Sequence, residues 1–116
     1  MTDLVALTVP ADHQFDGVVG LVLGGLGSRL DLPVDRIDEL ALAAATVAPA
    51  VDGTVLSLEA DVLDDRLVLR MGPLEDGAGS DAATRRVIDT LVDRVGGLRK
   101  DGHEWIELEL ALKEAR

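Results

Sequence analysis

Cysteine is missing from this chain of 116 residues, which excludes disulfides and thiolate-bound metals and permits a reducing compartment. Aromatic residues are nearly missing too, with one Phe, one Trp and no Tyr, so a core has to be assembled from Leu, Val and Ala. Basic residues are outnumbered 22 to 11 by acidic ones, and the net charge of −11 repels phosphate backbones and anionic lipid. Neither nucleic acid nor a membrane is expected as a partner. The longest apolar run, Gly17 to Leu26, is about half of the roughly 20 residues that a membrane span needs, and no signal-peptide layout precedes it. What remains is a hydrophobic content of 47%, enough for a globular chain. The expectation is one cytoplasmic domain covering residues 1–116.

The stretch Pro33 to Val51 organises the rest. Ile37, Leu40, Ala44, Val47 and Val51 recur at 3-4-3-4 spacing and lay one apolar stripe along a helix. Asp35 stands where an N-cap belongs, and Asp38 and Glu39 place negative charge at the positive end of the helix dipole. No charge occurs from Leu40 to Val51, and Leu42, Ala45, Thr46 and Ala50 occupy the opposite face, so a central helix covered on both sides is expected. Pro49 should end or kink it by removing a donor and pushing Ala48 out of helical dihedrals, at about 3 kcal/mol if the helix ran through.

Around this helix the periodicities alternate. Leu4 to Val9 reads as an opening strand stopped by Pro10, and about Asp16 to Leu30 as a first helix. Gly17, Gly20, Gly24 and Gly27 fall on one face of that helix; each costs about 1 kcal/mol of propensity relative to Ala, which suggests a close backbone contact, within the chain or between subunits. Thr54 to Ala60 and Arg66 to Met71 alternate as a half-exposed hairpin about Leu63-Asp64-Asp65, with Leu67, Leu69 and Met71 inward and Arg66 and Arg70 outward. Gly72 to Asp81 reads as a loop. A third helix is expected from Ser80 or Asp81, with Val87, Ile88, Leu91, Val92 and Val95 as its stripe and Gly96-Gly97 as its end. Leu98 to Lys100 and Trp105 to Leu112 close the chain as a hairpin turned at Asp101-Gly102, with Ile106, Leu108, Leu110 and Leu112 inward and Glu107 and Glu109 in water. The order β-α-α-β-β-α-β-β implies an α+β fold, a two-layer sandwich with three helices on one face of a mixed, mostly antiparallel sheet.

Several segments carry a resemblance. LTVPA, then DGVVGLVLGGLGSRLDLPVDRIDELALAAA, then VIDTLVDRV are similar to the bacterial anti-sigma factor serine/threonine kinases, relatives of the histidine-kinase and gyrase ATPases. The resemblance implies their fold over essentially the whole chain, and it also implies three nucleotide boxes, whose positions are all substituted here. Thr46 stands at the position of the family's catalytic Glu and Ala50 at that of its magnesium-holding Asn. With Gly72 on the first glycine of the family's D-x-G-x-G, Arg70 (or Met71, after a one-residue slip) replaces the adenine-binding Asp, and Leu74 replaces the second glycine. Ala82 and Thr84 replace the second glycine box.

The remaining chemistry is sparse. His13 and His103 lie in a loop and a turn without a carboxylate cluster, so no metal site is expected. Arg85 with Asp89 reads as a solvated i,i+4 pair, and Asp76-Gly77-Ala78-Gly79 as turn chemistry. The function expected is a regulatory protein-binding domain similar to anti-sigma factors, with no catalytic residue, no cofactor and no ATP hydrolysis. Its partner would be a sigma factor or a regulator of one, and the resemblance also implies a homodimer. The alternatives are an ATP- and magnesium-using kinase with an atypical site, and a structural or oligomerisation module.

Overall fold

A computed structural model describes residues 3–10 and 15–112. Five strands and three helices follow in the expected order: β1 (Asp3–Pro10), α1 (Phe15–Arg29), α2 (Val34–Val47), β2 (Val55–Val62), β3 (Arg66–Leu74), α3 (Ala82–Asp89), β4 (Arg94–Lys100) and β5 (His103–Ala111). Single 3-10 turns occur at Ala48–Ala50 and Ala78–Ser80. The sheet runs β1-β2-β3-β5-β4, and every pairing is antiparallel, so the α+β sandwich holds without the parallel component of a mixed sheet.

Alternation decides which side chains meet the helices. Leu56 and Leu58 of β2, Leu67, Leu69 and Met71 of β3, and Ile106, Leu108 and Leu110 of β5 are all at most 2% exposed. Val19, Leu23 and Leu26 of α1, Leu40, Ala43, Ala44 and Val47 of α2, and Ile88 of α3 close the same core from above. Leu112 is partly buried against it. Successive residues of a strand face opposite sides, so Val68, between Leu67 and Leu69, and Trp105, before Ile106, are buried on the other side of the sheet, outside this core.

α1 ends in a Schellman motif. Asp31 takes the left-handed position at φ 57°, and the Leu32 amide donates to the Gly27 carbonyl at 2.9 Å. α2 begins at Pro33 with no side-chain cap; Asp35 lies in the first turn, where it acts through the dipole and not as the N-cap. The helix ends at Val47, as Pro49 demands, but Ala48 keeps helical dihedrals (φ −52°, ψ −40°) because the chain tightens into a 3-10 turn in place of extending. Asp101 and Gly102, with φ of 54° and 80°, make the mirror-image turn that a two-residue hairpin prefers.

Three expectations are overturned. α3 stops at Asp89 and the strand β4 starts at Arg94, so Val95, Gly96 and Gly97 are strand residues paired with Leu108, Glu107 and Ile106. The run Val87 to Val95 fits a helix by period, but from Arg94 onward the ladder to β5 satisfies the backbone instead, and Val87 in the helix is 46% exposed and not part of a buried stripe. The segment from Gly72 is not a loop at its start, since Gly72, Pro73 and Leu74 continue β3 past an irregularity in its pairing with β5. The glycines of α1 make no close contact within the chain: an added Cβ at Gly17, Gly20 or Gly24 would meet nothing within 4 Å, and only Gly27 is crowded, by Ile37.

Candidate functional site

The β3 positions that the resemblance matches to a nucleotide box divide between the two faces of the sheet. Arg70 is on the face away from the helices, where its Nε donates to Glu107 at 2.8 Å and its guanidinium lies 3.9 Å from Asp61. Met71, one residue on, is fully buried in the helix-side core. Gly72 turns outward again under Trp105, whose ring an added Cβ would approach to 2.5 Å. No single pocket can therefore be lined by Arg70 and Met71 together. Leu74, 2% exposed, bridges to Val51 and is packed in the core. Thr46 returns its hydroxyl to the Leu42 carbonyl at 2.8 Å, the usual local bond of a helical Thr.

Ala50 and Thr84 do come together. With Glu75, Asp76, Gly77, Ala78 and Asp81 they line an open depression of about 370 Å³. The loop that forms it is laced to the end of α2: the Glu75 amide donates to the Ala50 carbonyl and the Asp52 amide to that of Pro73, both at 2.8 Å. Asp81 caps α3, accepting from the Thr84 amide at 2.9 Å and the Thr84 hydroxyl at 2.8 Å. The backbone bond first and the hydroxyl second hold its carboxyl below the ordinary value of 3.8. Ala82 lies exposed in the first turn behind it.

The chemistry of this depression is set by Glu104, a residue that the sequence reading passed over. Its two carboxylate oxygens accept the amides of Gly77 and Gly79, each at 2.7 Å. Gly77 is left-handed at φ 84°, so the two amides point into one concavity, the backbone arrangement that binds phosphate elsewhere. Here the chain's own carboxylate fills it. The fit is close, since a Cβ on Gly79 would lie 2.5 Å from Glu104 Oε2. Arg85 does not pair along its helix with Asp89; its Nε donates to the Gly79 carbonyl at 2.6 Å and braces the same turn. The dipeptide spacing of the two glycines was visible in the sequence, whereas Glu104 lies 27 residues from Gly77 and carries no local mark.

An ATP phosphate chain does not fit these residues. Glu75, Asp76 and Asp81 present carboxylates to the depression, and the amides that could hold a phosphate are taken. His103 is exposed, with Nδ1 3.1 Å from the Asp101 carbonyl; His13, and Ala11 of the LTVPA segment, lie outside the described residues. Among the described residues no group of three or more His, Cys, Asp or Glu side chains could hold a metal ion, and no helix is long and apolar enough to cross a membrane. No family model matches the chain, and no curated protein matches it.

Proposed function

We infer that the chain is a regulatory protein-binding domain of the anti-sigma factor kind, working in the cytoplasm by holding a sigma factor or a regulator of one, without ATP hydrolysis or phosphoryl transfer. The observation that carries the reading is the Glu104 carboxylate seated on the Gly77 and Gly79 amides. A carboxylate held by two backbone donors is a strong, charge-assisted arrangement, and a phosphate would have to displace it against three more carboxylates around the depression. The substitutions at Thr46, Ala50 and Arg70 point the same way, because none supplies the base, magnesium ligand or adenine acceptor that the resembling kinases use. Among the described residues the exposed large apolar side chains are Leu21, Val34, Leu42 and Val87 on the helices and Val55 at the start of β2, so most of the exposed apolar surface that a partner could cover lies on the helical layer.

Thermal unfolding with Mg-ATP or Mg-ADP tests the nucleotide half of the reading. No shift is expected; a gain of about 2.7 kcal/mol, which linkage gives at roughly 100 times the dissociation constant, overturns it. Affinity capture from native cytoplasm with mass spectrometry tests the other half. Retention of a sigma factor or one of its regulators is the expected result.

A further inference from the structure

The four open glycines of α1 are a cost without a return inside the molecule. Gly17, Gly20, Gly24 and Gly25 each lower helix propensity by about 1 kcal/mol relative to Ala, and none has an atom within 4 Å of an added Cβ. What Gly20 and Gly24 do is leave one wall of a groove bare. Along the outer side of the α1–α2 pair run two adjoining depressions, of about 680 and 380 Å³, which meet at Asp38. Gly20 and Gly24 of α1 face Ile37 and Asp38 of α2 across the larger, and Val19 faces Ala41 and Ala45 across the smaller. Val34 and Leu42, exposed at 70% and 56%, stand in the lining of the two depressions, and Leu21 of α1 is 81% exposed. Isolated exposed apolar residues need no explanation, but two in the walls of adjoining depressions form a patch.

The charge of the groove selects its occupant. Asp31 and Asp38 line it, no Lys or Arg does, and Arg36 is turned away to Glu39 and Asp93 at 2.9 and 2.8 Å. A second copy would set Asp31 and Asp38 against like charges, between two chains of −11 each. The form of the occupant follows from the walls. Helix backbones satisfy their own hydrogen bonds, so an extended peptide finds no ladder here, whereas a helix packs by side-chain ridges alone. From Gly20 to Ser28 the bare wall is about 12 Å long, or a little over two helical turns, and missing side chains let another backbone approach closely.

The geometry points to this groove as the docking site for one amphipathic helix of a partner protein, apolar on the face laid between α1 and α2 and flanked by Lys or Arg that meet Asp31 and Asp38. The inference rests on the protein-binding reading above and names the surface that performs it. It separates that surface from the Glu104 loop, which is tied to Ala50 beyond the C-terminal end of α2.

The test uses the full chain labelled with nitrogen-15 and two synthetic peptides of about 18 residues, long enough to form a helix on a surface. One carries Leu at helical spacing with Lys on both flanks; the other has the same composition scrambled so that no apolar face forms. The ordered peptide should bind at least about tenfold more tightly, less so as salt rises, with amide shifts concentrated at Gly20, Gly24, Ile37 and Ala41. Gly24→Ala should raise the thermal midpoint and weaken the ordered peptide at least about fivefold, a split that a structural glycine would not give. Leu42→Ser should weaken it without moving the midpoint. Equal binding of both peptides, or an unchanged affinity in Gly24→Ala, overturns the inference, as does a dimer in sedimentation that Leu42→Ser dissolves. Shifts from the peptide confined to residues 75–84 overturn the groove and leave the protein-binding reading standing. Shifts there from Mg-ATP overturn the absence of nucleotide binding and leave the groove untouched.

Discussion

The free face of the sheet and the outer face of the α1–α2 pair are both turned to water, and they are finished differently. On the sheet, Arg70 reaches Glu107 and Asp61, Arg66 and Arg94 reach Glu109, and Lys100 crosses to Glu59 with its ammonium 4.6 Å from the centre of the Trp105 ring. Trp105 is thereby 6% exposed although it lies outside the main core, and Gly72 is bare because the ring rests on it. On the helix pair, bare glycines face nothing and Leu21 is 81% exposed. One surface covers its apolar groups with its own charged side chains; the other leaves them open. A glycine is therefore not a single signal: at Gly72 it makes room for a partner already in the chain, and at Gly24 it makes room for none.

The comparison is most directly broken at Trp105. Trp105→Ala should lower stability by about 3 kcal/mol in urea unfolding, the scale of a buried aromatic deletion, and a loss below about 1 kcal/mol would mean that the charged cover is ornament and not packing. Gly72→Val should cost about 1–3 kcal/mol by collision with the same ring, and most of that cost should vanish when Trp105→Ala is already present. The sign should invert on the helices. Gly20→Ala and Gly24→Ala should each stabilise by about 0.5–1 kcal/mol and should add, since open space and helical dihedrals leave only the propensity term; destabilisation at either would erase the contrast. The smallest effect belongs to Asp81. Its folded-state pKa is lowered by the Thr84 bonds, so its contribution is full above 3.8 and is lost as pH falls through the lowered value. Asp81→Asn should therefore flatten the acid limb of the stability curve; an unchanged slope between pH 4 and 2, about where a depressed carboxylate titrates, would remove the cap from the account.

Much of this architecture was legible. The alternation of Leu56 and Leu58 with Ser57 and Glu59, and of Leu108 and Leu110 with Glu107 and Glu109, gave both the strands and their buried face, because a period of two is a property of the strand itself. The end of α2 before Pro49 followed from a missing donor. The end of α3 did not, since Val87 to Val95 fits a helix and only the ladder with β5 prefers a strand at Val95. Central position was misjudged for α2 as well: Leu42, Ala45 and Thr46 are apolar or small, but with no second layer above them Leu42 stays 56% exposed.

Of the candidate site, the sequence alone determined the side chains at the matched positions: a Thr at 46, an Ala at 50 and an Arg at 70, none of which is a carboxylate or a side-chain amide. It also determined the order of elements and the inward side of each strand, which depend on spacings of two to four residues. The tertiary structure alone decided that Arg70 would meet Glu107 on a neighbouring strand, that Glu104 would sit on Gly77 and Gly79, and that Gly20 and Gly24 of α1 would border an open groove. Those outcomes depend on which strands become neighbours and on how far apart two helices settle. Such non-local contacts are fixed by the packing of the whole core, and no short run of residues encodes them.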